Sequence, residues 1–334
     1  MSARTAAIRA AAGGLYHTGL LRPLATAACR LRGGNGFTVL AFHRVNDEAD
    51  PFFPSVPTAV FAERMQHLAE NYVVLTVEDL VERRRRERVP PGAVAVTFDD
   101  GYLDNLTHAA PILTRLGLPA TLFLATGYIS SCEMPWYDLL ALALKTTRRA
   151  EVQLPSGQTL ALGSSASRLE ALGRLLGEMK RLPDAVRRAS VDRLVGHLEP
   201  DDSERPKRLM LTWDEVHTLQ KLGFSIGAHT VTHPILSQVD PVQAWEEIHG
   251  SRRVIEQQLG TEVRAFAYPN GGAGDYDRGT RDLVERAGFA CAVTTQRGRN
   301  TASTSPFELR RGGPWERHLP TYALKLACYH LTGI

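Results

Sequence analysis

Apolar and polar positions along the 334-residue chain follow two rhythms. Short continuous apolar runs at 37–43 (FTVLAFH), 94–98 (VAVTF), 120–125 (ATLFLA), 224–228 (FSIGA), 264–268 (RAFAY) and 290–294 (ACAVT) read as strands covered on both faces. Stretches with helical spacing lie between them: Phe61, Met65, Leu68 and Tyr72, then residues 77–86, a helix running to Leu116, residues 241–259 and residues 280–288. A helix beginning after Thr212 carries Glu215 three positions on, a capping box, and stops at Gly223. Residues 73–76 add a short strand, and 307–311 are expected to add a last one. Strand, helix and strand in this order imply a parallel sheet with right-handed crossovers. About seven such strands favour a closed or nearly closed β/α barrel over an open doubly wound sheet. No GxGxxG follows any strand, which counts against a dinucleotide fold.

The rhythm breaks from 130 to about 207. A helix around Trp136 and Tyr137, a hairpin in VQLPSGQTLAL and two helices rich in Arg and Leu replace the buried strands. A structureless loop of that length is rare in a compact domain, so the segment reads as a mainly helical insertion on one rim, shaping a cleft. The expected organisation is a basic helical segment over 1–36, the barrel over 37–312 with its insertion, and a helical tail over 313–334.

Composition narrows the function. A 43% apolar and 22% charged chain is soluble and globular, and a net charge of +3 is too small to argue for nucleic acid. Cys29, Cys132, Cys291 and Cys328 are too far apart for a zinc knuckle or a disulfide framework. Residues 1–36 carry Arg4, Arg9, Arg22, Arg30 and Arg32 and no acid, yet the apolar run is interrupted too often for a secretory signal or a membrane span. Leu15, Leu20, Leu21 and Leu24 with those arginines fit either a helix packed on the domain or a basic amphipathic helix on an anionic membrane surface. The C-terminal stretch 322–331 is similar in character, and the two ends are expected to dock. The expected location is cytoplasmic, with peripheral contact at the inner membrane face as the second use of the N-terminal helix.

The candidate chemistry sits at strand ends. The run VAVTFDDGYLDN delivers Asp99 and Asp100 to the mouth of a turn at Gly101. Adjacent residues there point in different directions, so each acid serves a different partner. An Asp after a strand also caps the helix that follows, and by itself the pair reads either way. Strand 37–43 ends on His43, and 224–228 delivers His229 and His233 in GAHTVTHPILS. Pro234 disfavours α conformation at His233, so a strand-to-turn presentation is expected rather than a helical pair. In a β/α barrel these ends share one face, and two imidazoles with a carboxylate suit zinc or a similar divalent ion.

TFDDG at 97–101, H-T-x-x-H-P at 229–234 and Y-P-x-G at 268–271 resemble the polysaccharide deacetylases, the carbohydrate esterase group with the NodB homology region. The resemblance runs from about residue 37 to 311 and is similar to the exopolysaccharide-modifying branch. It implies a distorted (β/α) barrel of seven to eight strands and metal-dependent removal of acetyl from an N-acetylated sugar in a polysaccharide or lipid-linked glycan. It also implies Asp99 as the base, Asp100, His229 and His233 as metal ligands, and an oxyanion donor in the turn of Tyr268, Pro269 and Asn270. The family's third motif usually carries an arginine where this chain has Ala267, and Arg311 is the expected substitute over Arg44. The family's late acid histidine has no clear match, and VLAFH ending on His43 looks like that motif moved to the first strand, with His318 as competitor. Two further readings are hydrolysis of a small non-glycan amide and a non-catalytic carbohydrate-binding barrel.

Overall fold

The computed structural model describes residues 3–21, 23, 36–313 and 315–332, with side chains in the first helix from Ile8 onward. Its strands are β1 (Phe37–Phe42), β2 (Val73–Val74), β3 (Ala93–Phe98), β4 (Ala120–Leu124), an inserted hairpin of β5 (Glu151–Gln153) and β6 (Thr159–Ala161), then β7 (Phe224–Ala228), β8 (Ala265–Ala267) and β9 (Cys291–Val293). The main sheet runs β1-β3-β4-β7-β8-β9, all parallel, with β2 pairing on β3. The sheet curls into a distorted β/α barrel, and its register brings the strand C-termini to one rim: Phe42 pairs with Phe98, Leu124 with Ala228, and Ala267 with Val293.

Alternation along the strands explains this shape. In β3, Ala93 and Ala95 face the barrel interior with Val39, Phe123, Ala265, Ala267 and Val293, whereas Val94, Val96 and Phe98 face the surrounding helices. Both faces are buried, as continuous apolar runs require. Small residues on β3, β8 and β9 leave room in this cluster for two rings, Phe37 and Phe123.

The expected last strand over 307–311 is not formed. Only Leu309 bridges to β9, where its N–H donates to the Ala292 carbonyl (2.9 Å) and its own carbonyl accepts from Thr294 (2.8 Å). Two residues later the Gly312 N–H donates to Val39 of β1 at 3.0 Å. The segment thus crosses from β9 to β1 too quickly to pair along either, and it closes the barrel as a seam.

Helices α1 (Ala3–His17), α2 (Thr58–Asn71), α3 (Val77–Arg85) and α4 (Ala110–Leu116) precede the insertion, which carries α5 (Trp136–Thr146), α6 (Ser165–Met179) and α7 (Asp184–Leu198). After it come α8 (Trp213–Lys221), α9 (Pro241–Leu259), α10 (Arg278–Arg286) and α11 (Leu319–Thr332). Thr212 and Glu215 form the capping box at α8, with the Thr212 N–H donating to Glu215 Oε2 at 2.8 Å. Asp240 caps α9, accepting from Val242 and Gln243 at 2.9 and 3.0 Å. The insertion has its own core, in which Leu140, Leu144, Val152, Leu175 and Met179 meet Phe52, Phe53 and Tyr102 at the barrel rim.

Helix α1 packs on α11, with Leu15, Tyr16 and Leu21 against Ala323, Leu324 and Ala327. Leu24, Arg22, Arg30 and Arg32, which the amphipathic reading of the N-terminus also used, lie outside the described residues, as does the Arg4 side chain. Among the described residues no helix is long and apolar enough to cross a membrane.

Gly227 on β7 leaves no room for a side chain, since a Cβ there would meet Phe123 at 2.5 Å and the Ala265 carbonyl oxygen at 2.9 Å. Gly227→Ala is therefore expected to destabilise the fold by about 1–3 kcal/mol, the usual range for overpacking. Urea unfolding checks this, and an unchanged midpoint would contradict the close packing.

Candidate active site

Neither aspartate caps a helix. The chain after Gly101 passes through one wide turn (Asn105–Ala109) before α4, and Asp104 rather than Asp99 or Asp100 precedes that turn. Asp100 takes φ 74 and Gly101 φ 93. This left-handed pair turns the chain sharply and separates the two carboxylates.

Asp99 is 2% exposed and gripped by Arg311, itself fully buried. Arg311 Nη1 donates to Oδ1 at 2.6 Å and Nη2 to Oδ2 at 2.7 Å, while Nε donates to the Thr294 carbonyl at 2.9 Å. Burial alone would push the Asp99 carboxyl up, but Arg311, His229 and His43 more than offset it and hold it below the usual carboxylate range. Arg44, the other candidate for this task, is engaged elsewhere: its Nε donates to Asp104 at 2.9 Å. Asp104 also accepts from Val45 and Asn46 and so fixes the loop after β1.

Asp100 faces the two histidines. Its Oδ1 lies 3.6 Å from His229 Nε2 and 3.5 Å from His233 Nε2, and is buried without a hydrogen-bond partner. His229 Nδ1 donates to the Ala267 carbonyl at 2.7 Å, which leaves the Nε2 lone pair toward Asp100. Burial lowers His229 to about 4 and holds His233 well below its ordinary value, so both rings are neutral at physiological pH. Burial, then the charge of Asp99, pushes the Asp100 carboxyl well up.

The loop carrying the histidines is held firmly. His233 has φ 56 and Thr230 φ 68, which is a turn rather than a helix. Glu247 on α9 accepts from the Val231 and Thr232 N–H groups, both at 2.8 Å. Four non-glycine residues at this rim, Asp100, Thr230, His233 and Asn270, sit in the left-handed region, and such strain concentrates where geometry serves a site.

The residues fit a divalent ion. Asp100, His229 and His233 offer ligand atoms within 4.8 Å of one another, all buried, and the unpartnered Asp100 oxygen facing two imidazole rings is the sort of atom a cation satisfies.

These groups line a cleft of about 530 Å³. His43 is at its mouth, 53% exposed, with Nε2 3.9 Å from Asp99 Oδ2. His318 is elsewhere, beside Thr321 in the first turn of α11. Of the turn after β8, Asn270 (φ 58) reaches the cleft, whereas Tyr268 and Pro269 do not line it. The reason is parity: Ala265 and Ala267 face the barrel interior, so Tyr268 faces the helical layer, where it stacks on Tyr276 at 4.2 Å and donates to the Phe307 carbonyl.

Several cleft residues escaped the motif reading: Tyr102, Tyr137, Asp138, Lys180, Phe52, Phe53, Thr295 and Trp315. Tyr102 donates to Asp138 Oδ2 at 2.8 Å, and burial raises Asp138 to about 6. Burial and the nearby Asp100 charge push the Tyr137 phenol well above its ordinary value. The sequence signal for this group was the W-Y-D run opening a helix after Pro135.

Comparison with known proteins fits this geometry. A family model described as polysaccharide deacetylase matches residues 86–292, a span that includes both aspartates and both histidines. The chain belongs to the polysaccharide deacetylase family. It is 22% identical over 258 residues to YxkH of Bacillus subtilis, provisionally described as a polysaccharide deacetylase, an alignment covering 77% of this chain and 64% of that protein. It is 39% identical over 89 residues to the poly-β-1,6-N-acetyl-D-glucosamine N-deacetylase of Escherichia coli, covering 26% of this chain and 13% of that one. The chain therefore spans less than two thirds of either relative. Among solved structures, IcaB from Ammonifex degensii superposes with a TM-score of 0.57 at 18% identity, over 87% of this chain and 97% of that one, a shared fold.

Removing Arg311 tests the Asp99 grip. Arg311→Met is expected to cost about 3–5 kcal/mol at pH 7, because a buried carboxylate loses its partner. Asp99, depressed in the folded wild type, contributes stability that is present above its ordinary value of 3.8 and lost as pH falls through the lower folded value. In the variant Asp99 takes up a proton at higher pH, so the gap between the proteins narrows as pH falls from 7. Urea unfolding across that range measures it, and a gap independent of pH contradicts the assignment.

Proposed function

We propose that this chain is a metal-dependent N-deacetylase that hydrolyses the acetamido group of an N-acetylated sugar in a polysaccharide or lipid-linked glycan. The observation that carries this reading is the division of labour between adjacent carboxylates. Asp99 is held ionised by Arg311, while Asp100 faces two neutral imidazoles across 3.5–3.6 Å. Asp100, His229 and His233 would hold the ion, and two imidazole nitrogens with one carboxylate oxygen suit zinc. A divalent ion held there supplies positive charge that polarises the amide carbonyl and acidifies a water molecule.

This chain's residues supply the rest. Asp99, kept out of the ligand set by Arg311, accepts a proton from the attacking water. The Asn270 backbone N–H, in the left-handed turn at the cleft wall, serves the oxygen that gains charge as the carbonyl carbon becomes tetrahedral. When the C–N bond breaks, the nitrogen needs a proton, because an amide nitrogen leaves poorly as an anion. His43, across from Asp99 and half open to solvent, is placed to deliver it, giving acetate and a free amine. The inserted helices form one wall of the cleft. We assign the barrel to 37–312, with the segments on either side as packing elements.

Acetate release from acetamido sugars, with chelation and metal add-back, tests the reading. Asp99→Asn is expected to retain bound metal but lose about 10²–10⁴-fold in turnover, the range for removal of a general base. His229→Ala and Asp100→Ala are expected to lose the metal itself, measured by elemental analysis. Full activity in Asp99→Asn would remove the base assignment, and release of acetate only from small non-sugar amides would redirect the substrate.

A further inference from the structure

The oxyanion donor in the scheme above is a single backbone N–H, and its support lies just beyond the end of β9. Asn270 is not a glycine, yet it sits at φ 58, and Gly271 follows at φ 66. A non-glycine residue keeps that conformation only where its surroundings enforce it. The Gly271 N–H donates to the Pro269 carbonyl at 2.7 Å, which tightens the turn but leaves the Asn270 and Gly271 carbonyls open. Thr295 takes both. Its N–H donates to the Gly271 carbonyl at 2.9 Å, and its hydroxyl donates to the Asn270 carbonyl at 2.5 Å. The fit is close, since a Cβ at Gly271 would lie 2.8 Å from the Thr295 nitrogen.

The direction of the Asn270 N–H follows from this grip. In a left-handed turn, as in a right-handed one, the N–H and C=O of a residue point in opposite senses. With its carbonyl drawn to Thr295, Asn270 turns its N–H the other way, and among the described residues that N–H donates to no protein acceptor. Asn270 and Thr295 both line the cleft. The peptide unit joining Thr294 to Thr295 serves two groups at once: its carbonyl accepts from Arg311 Nε at 2.9 Å, and its N–H is the one that holds Gly271. Because that unit is planar and rigid, the guanidinium gripping Asp99 and the turn carrying Asn270 share one reference frame. The backbone bond reaches Gly271 alone. Only the hydroxyl reaches Asn270 itself.

We propose that Thr295 is a positioning residue for the reaction, its hydroxyl holding the Asn270 peptide so that the Asn270 N–H is set for the oxygen that gains charge. Thr295 acts through Asn270 and takes no part in the proton transfers of Asp99 and His43. The end of β9 then supports the base through Thr294 and Arg311, and the oxyanion donor through Thr295. The inference rests on the deacetylase reading, and its test separates the two.

Wild type, Thr295→Val and Thr295→Ser are compared in the full-length, metal-reconstituted protein. Valine keeps the shape and loses the donor; serine keeps the donor. In acetate release, Thr295→Val is expected to lower kcat about 10-fold with KM within about twofold, less than the roughly 10²–10³-fold for outright loss of an oxyanion donor, because the backbone bond to Gly271 remains. Thr295→Ser is expected to stay within about twofold of wild type. Calorimetric affinity for methylphosphonate, a tetrahedral anion that needs no turnover, is expected to weaken about 10-fold in Thr295→Val alone, at equal metal content. Unchanged kcat and affinity in Thr295→Val overturn the proposal. Equal losses in both variants overturn it in favour of a packing role, and a raised KM at constant kcat overturns it in favour of direct contact with substrate. If wild type binds methylphosphonate and Thr295→Val weakens it, yet no acetamido sugar releases acetate, the deacetylase reading fails while the support of Asn270 stands. Wild type that neither binds methylphosphonate nor releases acetate overturns both.

Discussion

The buried fork between Arg311 and Asp99 is the contact on which the rest of the rim depends. A carboxylate taken out of water survives as an anion only with a matched partner, and a guanidinium offers two parallel donors to its two oxygens. Because Asp99 is committed to Arg311, it stands apart from the cluster of Asp100, His229 and His233. The same guanidinium donates to Thr294 at the end of β9, so one side chain ties the seam, the first-paired strands and the last strand together. Remove it, and both the charge on Asp99 and the closure of the barrel lose their anchor.

A second set of contacts controls what surrounds the aspartates. Asp104 organises the loop after β1 through Arg44, Val45 and Asn46, and Lys145 on α5 pairs with Asp50 of that loop at 2.8 Å. Tyr102 reaches Asp138 from the opposite direction. The inserted helices are thus pinned to the barrel on both sides of the cleft mouth. Glu247 does the equivalent for the histidine loop, satisfying two backbone donors in a turn that cannot pair with a strand.

Most of the fold was legible in the sequence because both faces of the sheet are buried, which writes each strand as a continuous apolar run. The capping box at Thr212 and the break at 130–207 were local signals of the same kind. The seam was not legible: FELRR has the composition of a strand, but its pairing depends on how far β9 lies from β1, which is a tertiary distance. In the site, Asp99, Asp100, His229 and His233 were visible as polar residues ending apolar strands. The direction of Tyr268 could have been read from parity, since the motif alanine at 267 already occupies the inward position. Tyr137 and Asp138 could not, because no rhythm links an inserted helix to the rim it covers.

The fork also links the site to the last part of the barrel. Asp99 and Arg311 are 212 positions apart, whereas the three candidate ligands are all in place by His233. A contact this distant in sequence carries the entropic cost of closing a long loop, a cost met by the packing of the strands in between. The ionised state of Asp99 therefore depends on a residue supplied by the closing seam, so the charge at the rim reports whether the barrel has closed.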